Sequence, residues 1–349
     1  MTKKSEAFLL DNTCLRSIRI LTKVCMQRFY SIVNGKIIES KTQSGSIQVF
    51  TTPNNKERQV FIQQLGVDSY DFDAALDPDE ISRVEFEKDL TTIIWKQPHT
   101  DKFSLYAQFN VHSVGFFIRD NKLSLISSKD DSPFNNKLFD GVETIYDVLL
   151  RYFFYTIRQY ANHLKAIKQA KTKLEGKLNQ SMENRYFLQM FDISESLVYY
   201  IDALEANGAV LSKIMAKTTR INGGRLKLSE GQIDYLEDTI QENTQISRQA
   251  QIYSTVLSGL MDARGNIINN NMNVLLKNLT LINVVFLPLN LLASMGGMSE
   301  YSMMIGDFHI HWRVGYFIFS VAMTVMGWTI WIVLKKYVER TIHGDGSRD

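Results

Sequence analysis

The most informative segment of the sequence lies near the C-terminus and reads VGYFIFSVAMTVMGWTIWIVL, from Val314 to Leu334. These 21 residues carry no formal charge, and a helix built from them has almost nothing polar on any face. A second uncharged run, of 22 residues, extends from Asn278 to Ser299. Because about 20 apolar residues cross the hydrocarbon core of a bilayer, the two runs predict two transmembrane helices. The alternative interpretation is a pair of buried helices in a soluble core.

The charges beside the two runs predict their orientation. The connection between them contains Glu300 and Asp307 but no Lys or Arg before Arg313. The other ends of the two runs, before Asn278 and after Leu334, carry Lys or Arg at positions 264, 277, 335, 336 and 340. Since Lys and Arg are retained on the cytoplasmic side, we expect a multi-pass protein of the cytoplasmic (inner) membrane with both termini in the cytoplasm.

Composition excludes several classes of protein. The chain has 39 Lys and Arg against 37 Asp and Glu, so a strongly basic nucleic-acid binder is excluded and no nucleic-acid partner is expected. The sequence contains no phosphate-binding glycine loop, no Gly-x-Ser-x-Gly and no His-Glu-x-x-His. We therefore predict that the protein is not an enzyme.

Upstream of the apolar runs, two patterns follow one another. Residues 1–135 contain short β-rich segments and predict an α/β cytoplasmic domain; the segments are SIQVF, TTIIW, FSLYAQF, VGFFI and KLSLIS, with an Asp120-Asn121 turn between the last two. The 154 residues from Phe134 to Leu287 include no proline, which predicts a helical stalk over residues 136–276.

Helix boundaries within the stalk are also predicted. The spacing of apolar residues predicts a helix that begins near Asp140. A second helical segment is predicted over about residues 182–221, and Asn222-Gly223-Gly224 ends it. Ser229 and Gln232 form a capping box that starts a helix of up to 68 residues, ending at Gly296. Because the segment contains Gly259 and Gly265, a bend within this helix is the alternative.

Four segments resemble a known family. They read LDPDEISRVEFEKDLTTIIWKQP, YSTVLSGLMD, NMNVLLKNLT and VVFLPLNLLASMGGMSEYSMM, and they look like the CorA family of divalent-cation channels. The resemblance covers most of residues 60–340. It implies a CorA-like funnel, with an α+β cytoplasmic domain, long stalk helices and two C-terminal transmembrane helices, in which five copies form a homopentamer around a pore.

The resemblance and the apolar runs together predict the organisation of the chain. We expect a cytoplasmic domain at 1–135, the stalk at 136–276, a pore-lining helix at 277–298, an extracytoplasmic loop at 299–313, a second transmembrane helix at 314–335 and a basic cytoplasmic tail at 336–349.

The resemblance also implies which residues line the pore. The implied positions are Asn273, Leu276, Leu279, Asn283, Leu287, Asn290, Ser294, Gly297, Met298 and Ser299. The family signature at the outer mouth is Gly-Met-Asn, whereas this chain has Gly-Met-Ser. Serine offers one short hydroxyl in place of a carboxamide, so ion selectivity does not transfer directly from the family.

Neutral polar side chains suit a pore for hydrated Mg²⁺, because they hydrogen-bond the water shell without holding the ion tightly. Asn283 and Asn290 are seven residues apart and fall on one stripe of a helix. The alternative role for these two residues is an interhelical hydrogen bond. In the outer loop, Glu300, Asp307, His309 and His311 could attract cations, including a softer ion such as Zn²⁺.

By resemblance, a regulatory Mg²⁺ site would involve Asp238, with its partner from an acidic cluster that contains Asp73 and Asp77. A solvated acidic helix face is the ordinary explanation of such a cluster. No tightly bound cofactor is expected, and the expected partners are other copies of the chain, the lipid bilayer and divalent cations. The predicted function is a channel for Mg²⁺, with a Zn²⁺, Co²⁺ or Ni²⁺ transporter or a non-transporting membrane scaffold or sensor as alternatives.

Overall fold

The computed structural model describes residues 26–40, 45–101, 108–130, 133–180, 184–218, 228–297, 303, 306 and 311–344. The chain divides into two compact units, Met1–Met261 and Asp262–Asp349. The described part of the first unit contains the β-strands and the upstream helices, and that of the second contains two apolar helical segments.

A seven-stranded sheet forms the centre of the described part of the first unit. Its strands lie in the order β2-β1-β3-β7-β6-β5-β4 and are β1 (Met26–Val33), β2 (Lys36–Ser40), β3 (Ile47–Thr51), β4 (Arg83–Phe86), β5 (Thr91–Asp101), β6 (Gln108–Arg119) and β7 (Lys122–Ser127). Neighbouring strands are antiparallel, except that β3 and β7 are parallel.

Most of the predicted β-segments are strands. SIQVF, TTIIW, VGFFI and KLSLIS correspond to β3, β5, β6 and β7. The predicted turn joins β6 to β7, and both of its residues, Asp120 and Asn121, have positive φ angles of 49° and 57°, as a two-residue hairpin of this twist requires. FSLYAQF falls mostly outside the described residues, and its last two residues belong to β6 rather than to a separate strand.

The sheet is buried on both faces, because successive residues of a strand point to opposite sides. Phe116 packs against Phe153 with ring centroids 5.6 Å apart, on the face that α3 (Ile145–Gln180) covers. Its neighbour Phe117 packs at 5.2 Å against Phe61 of α1 (Asn55–Leu65), beside α2 (Ser69–Ala74). The two core clusters therefore lie on opposite sides of one sheet.

Two long helices follow the sheet. The helix predicted near Asp140 begins at Ile145, and α4 (Asn184–Thr218) occupies the second predicted segment. The predicted Asn222-Gly223-Gly224 break lies outside the described residues.

The longest helix, α5 (Glu230–Gly296), has 67 residues and is one continuous element that includes Pro288. Its capping box is confirmed: the Ser229 amide donates to the Gln232 side chain at 3.0 Å, and the Gln232 amide donates back to the Ser229 hydroxyl at 3.4 Å. Gln232 also donates to the Asp147 carboxylate of α3 at 2.7 Å. The start of α5 is thereby attached to the start of α3.

The last helix, α6, extends over Trp312–Gly344, so residues 336–344 of the predicted tail continue the second span as helix. Two described helices are long and apolar enough to cross a membrane, one in α5 and one at Arg313–Val333. Only 6% of the apolar window in α5 is buried, and none of that in α6. These two apolar windows are therefore not buried as the core of a soluble fold would be.

Candidate functional site

The predicted pore-facing residues lie on the C-terminal part of α5. Eight of them are among the described residues: Asn273, Leu276, Leu279, Asn283, Leu287, Asn290, Ser294 and Gly297. Met298 and Ser299 lie outside the described residues, as do Glu300, Asp307 and His309, while His311 is described and exposed just before α6.

The eight residues share one side of the helix. Successive residues of an α-helix are about 100° apart around the axis, which places all eight within an arc of about 120°. We call this set the open stripe. Each member is exposed in the chain, and Leu287 reaches 70%.

The opposite side of the same segment contains the less exposed side chains, which are Leu281, Val285, Pro288, Leu289 and Leu292. Val285 is only 9% exposed. Leu289 contacts α6 at Gly327, where an added Cβ would lie 3.2 Å from the leucine Cδ1. The second span therefore touches α5 on the side away from the open stripe.

The polar members of the open stripe have no partner within the described part of the chain. The Asn283 and Asn290 carboxamides make no hydrogen bond there, and neither does the Ser294 hydroxyl. Among the described residues, these side chains therefore make no hydrogen bond to the other span of the same chain, which is one version of their alternative role. Their polar groups are available to water, to ions or to another copy of the chain.

Leucine side chains separate the polar positions along the stripe. Leu276 and Leu279 lie between Asn273 and Asn283, and Leu287 lies between Asn283 and Asn290. Pro288 has no N–H, so the carbonyl of Val284 loses its helical partner. The helix nonetheless continues through this position.

The three predicted regulatory carboxylates all lie in the first unit. Asp238 is exposed on α5. Asp73 forms an ion pair with Arg58 at 2.7 Å, and the Asp77 carboxylate accepts the backbone N–H of Asp79 at 2.9 Å. Among the described residues no group of three His, Cys, Asp or Glu side chains could hold a metal ion. A metal site that includes Asp238 stays a prediction.

Two features of the structure were not predicted from the sequence. Gly327 lies at a contact between the spans, and a glycine flanked by Met326 and Trp328 was the available signal. His112 is nearly completely buried beside a cavity of the first unit. Nothing in the local sequence indicated that position.

A model of protein families described as "CorA-like Mg2+ transporter protein" matches residues 47–336. This chain belongs to that family. The family consists of transporters, which confirms the prediction that the protein is not an enzyme, and the chain is a CorA-like divalent-cation transporter of membranes.

Individual relatives support the same assignment. The cobalt/magnesium transport protein CorA of Methanocaldococcus jannaschii is 24% identical over 270 residues, which cover 72% of this chain and 81% of that protein. The protein with the same name from Thermotoga maritima is 28% identical over 109 residues, 31% of this chain and 28% of that protein.

Solved structures confirm the predicted fold class. The complete structure of the CorA magnesium transporter from Methanocaldococcus jannaschii has a TM-score of 0.71 at 21% identity, and the match covers 90% of this chain and 98% of that one. The full-length CmaX protein has a TM-score of 0.63 at 12% identity, over 89% and 97% of the two chains. At these identities the likeness concerns the fold.

Proposed function

We propose that five copies of this chain surround an ion pathway and that the open stripe of each α5 lines it. The observation that supports this is the position of Leu289, which contacts Gly327 of α6 on the side of α5 opposite the stripe. In this arrangement the second span faces lipid, and the open stripe faces the central axis of the assembly. Two spans of one chain cannot enclose a pathway, so several copies are needed; the number five comes from the CorA resemblance.

The chemistry of the stripe suits a hydrated cation. Asn283 and Asn290 lie about 10.5 Å apart along the helix, which provides successive rings of neutral carboxamides. Such groups hydrogen-bond the water shell of Mg²⁺, which gives up its waters reluctantly. A ring of Leu287 between them can exclude water and close the path.

Mg²⁺ is the proposed preferred ion, since relatives of this chain are named cobalt/magnesium transport proteins and magnesium transporters. Zn²⁺, Co²⁺ and Ni²⁺ are the alternative ions. The proposed location is the cytoplasmic membrane with both termini in the cytoplasm. Lys and Arg flank the two spans at the ends away from their connecting loop, and these residues are retained on the cytoplasmic side.

The test compares matched substitutions on the two sides of α5. In liposomes, Asn283→Leu should reduce Mg²⁺ uptake by about tenfold or more, because it replaces a ring of carboxamides with an apolar constriction. Asn278→Leu makes the same change on the other side of the helix, where Asn278 is also exposed, and should leave uptake within about twofold.

Other outcomes would contradict the proposal. Equal losses in the two variants would show that the stripe does not line the pathway. Absence of uptake of any divalent cation by the wild type would favour the scaffold or sensor role. The solubilised protein should have the mass of five 40.2 kDa chains, and a monomer or dimer as the sole species would contradict the pore.

A further inference from the structure

A cavity of about 810 Å³ lies entirely within the first unit, between helix α4 and the β5–β6 part of the sheet. This volume is in the range of sites for small organic ligands and far exceeds what one bare metal ion requires. The cavity does not include any residue of the open stripe.

One wall of the cavity contains a buried histidine, His112. His112 is 4% exposed, and neither ring nitrogen has a hydrogen-bond partner among the residues that the structure describes. Burial lowers the pKa of His112 to about 3, and the nearby His99, Lys129 and Lys96 act in the same direction. The ring is therefore neutral at physiological pH, with one N–H donor and one acceptor nitrogen, and an unsatisfied buried polar group of this kind is costly.

Helix α4 supplies an acidic wall. Asp192, Glu195 and Asp202 all line the cavity, and the first and last are about 15 Å apart along the helix. Asp192 and Glu195 have no ion-pair partner within the described part of the chain.

The cavity as a whole has an excess of negative charge. Asp79 adds a fourth carboxylate, against two lysines, Lys96 and Lys129. The Lys96 ammonium is already engaged, since it donates to the carbonyl of Pro78. The charge and the acceptor nitrogen of His112 both favour a ligand that is cationic and donates N–H bonds.

We propose that this cavity binds a small linear organic cation with primary ammonium groups, that is, a diamine or polyamine. An ammonium group carries three N–H donors, which suit Asp192, Glu195 and the acceptor nitrogen of His112. A cation with a charge at each end also matches carboxylates spread along α4. A bare metal ion fits less well, because no three His, Cys, Asp or Glu side chains among the described residues are placed to hold one. The proposal depends on the first unit alone and not on ion transport.

Calorimetric titration of the full-length protein in detergent tests the proposal, with spermidine and putrescine as probes. Saturable binding of spermidine is expected, with one molecule per chain. The double variant Asp192→Asn/Glu195→Gln should bind it roughly tenfold or more weakly, since two charge-assisted hydrogen bonds are lost. Glu205→Gln is the control on the same helix: its carboxylate lies against Gln251 at 2.7 Å, outside the cavity, and spermidine binding should stay within about twofold.

The competing explanations give distinct results. Tetramethylammonium has the charge but no N–H donor, and equal binding of this ion would overturn the proposal. So would an equal loss in Glu205→Gln, or binding of Mg²⁺ at these residues without binding of spermidine. The variant His112→Asn, checked for an unchanged melting temperature, should also weaken spermidine binding, and full retention of affinity would remove the histidine from the site.

Discussion

Asn207 of α4 holds both backbone groups of Lys96 on β5: its carboxamide oxygen accepts the Lys96 N–H at 3.0 Å, and its nitrogen donates to the Lys96 carbonyl at 2.8 Å. Strand β4 pairs with β5 only as far as Arg83 opposite Ile94. Beyond this pair, the Asn207 side chain therefore makes the hydrogen bonds to β5 that a longer β4 strand would make. The Ser82 hydroxyl donates to the same oxygen at 2.7 Å, so the sheet edge and α4 are joined by one buried residue.

We expect Asn207→Ala to destabilise the first unit by about 3 kcal/mol, because the buried Lys96 N–H and the Ser82 hydroxyl lose their acceptor and the Lys96 carbonyl keeps only the Tyr160 hydroxyl, at 3.3 Å. The melting temperature of the full-length protein measures this. Ser212→Ala on the same helix removes only an exposed hydroxyl bonded to the Gly208 carbonyl, and should change stability by less than about 0.5 kcal/mol. A similar effect of both changes would show that the Lys96 contact does not matter for stability.

Acid should destabilise the protein through His163, whose ring nitrogen lies 2.6 Å from the Tyr200 hydroxyl. Burial lowers the pKa of His163 to about 4 in the folded protein, below the ordinary value of 6.5. The unfolded state therefore binds more protons between pH 6.5 and 4, and stability falls as the pH is lowered through that window, by up to about 3 kcal/mol.

The variant His163→Asn keeps a polar group near Tyr200 and removes the titration. Its melting temperature should fall less between pH 6.5 and 4 than that of the wild type, with the remaining decrease due partly to His112. Parallel melting curves for the two proteins across this pH range would contradict the assignment to His163.

Gly327 should be intolerant of a large side chain, because an added Cβ already lies 3.2 Å from Leu289. Gly327→Leu is expected to separate the spans, lower the melting temperature and reduce ion uptake. Val325→Leu, at an exposed position two residues earlier, is the control and should behave like the wild type. Normal stability and uptake of Gly327→Leu would show that this contact does not organise the spans.

If Asp238 holds a regulatory ion between copies, Asp238→Asn should increase ion flux at high cytoplasmic Mg²⁺ while the assembly stays intact. Glu237→Gln removes the same charge from the adjacent exposed position and should leave inhibition by Mg²⁺ unchanged. Asp238 is chosen for this test because substitution of Asp73 would also break its ion pair with Arg58. Unaltered inhibition in Asp238→Asn would exclude this residue from regulation.

Ser299 stands where the family signature has Asn, and we expect Ser299→Asn to narrow the accepted ions towards Mg²⁺. A carboxamide reaches further than a hydroxyl and presents an acceptor oxygen, so it contacts the outward-pointing protons of the hydration shell more closely. Ser299→Ala should retain partial transport. Uptake of Mg²⁺, Zn²⁺, Co²⁺ and Ni²⁺ by the three proteins is the comparison, and identical rankings would place selectivity elsewhere.

Several features of the site followed from local sequence. The spacing of Asn283 and Asn290 predicts a shared helix face, since a regular helix places residues seven apart on the same side, and the structure confirms that they share it. Whether that face is covered could not be predicted, because it depends on where α6 packs. The residues that share the open stripe were predictable from their spacing. Which side of α5 packs against α6 is known only from the contact between Leu289 and Gly327.

By itself the sequence determined the two membrane-spanning runs, the long helices and the capping box at Ser229, because uncharged length, lack of proline and short-range hydrogen bonds act within a few turns of chain. Which polar side chains have hydrogen-bond partners depends on the tertiary structure. Asn207 hydrogen-bonds Lys96, which lies 111 residues away in the sequence, whereas the buried ring nitrogens of His112 have no hydrogen-bond partner among the described residues. Such outcomes depend on the packing of distant segments, which no local pattern records.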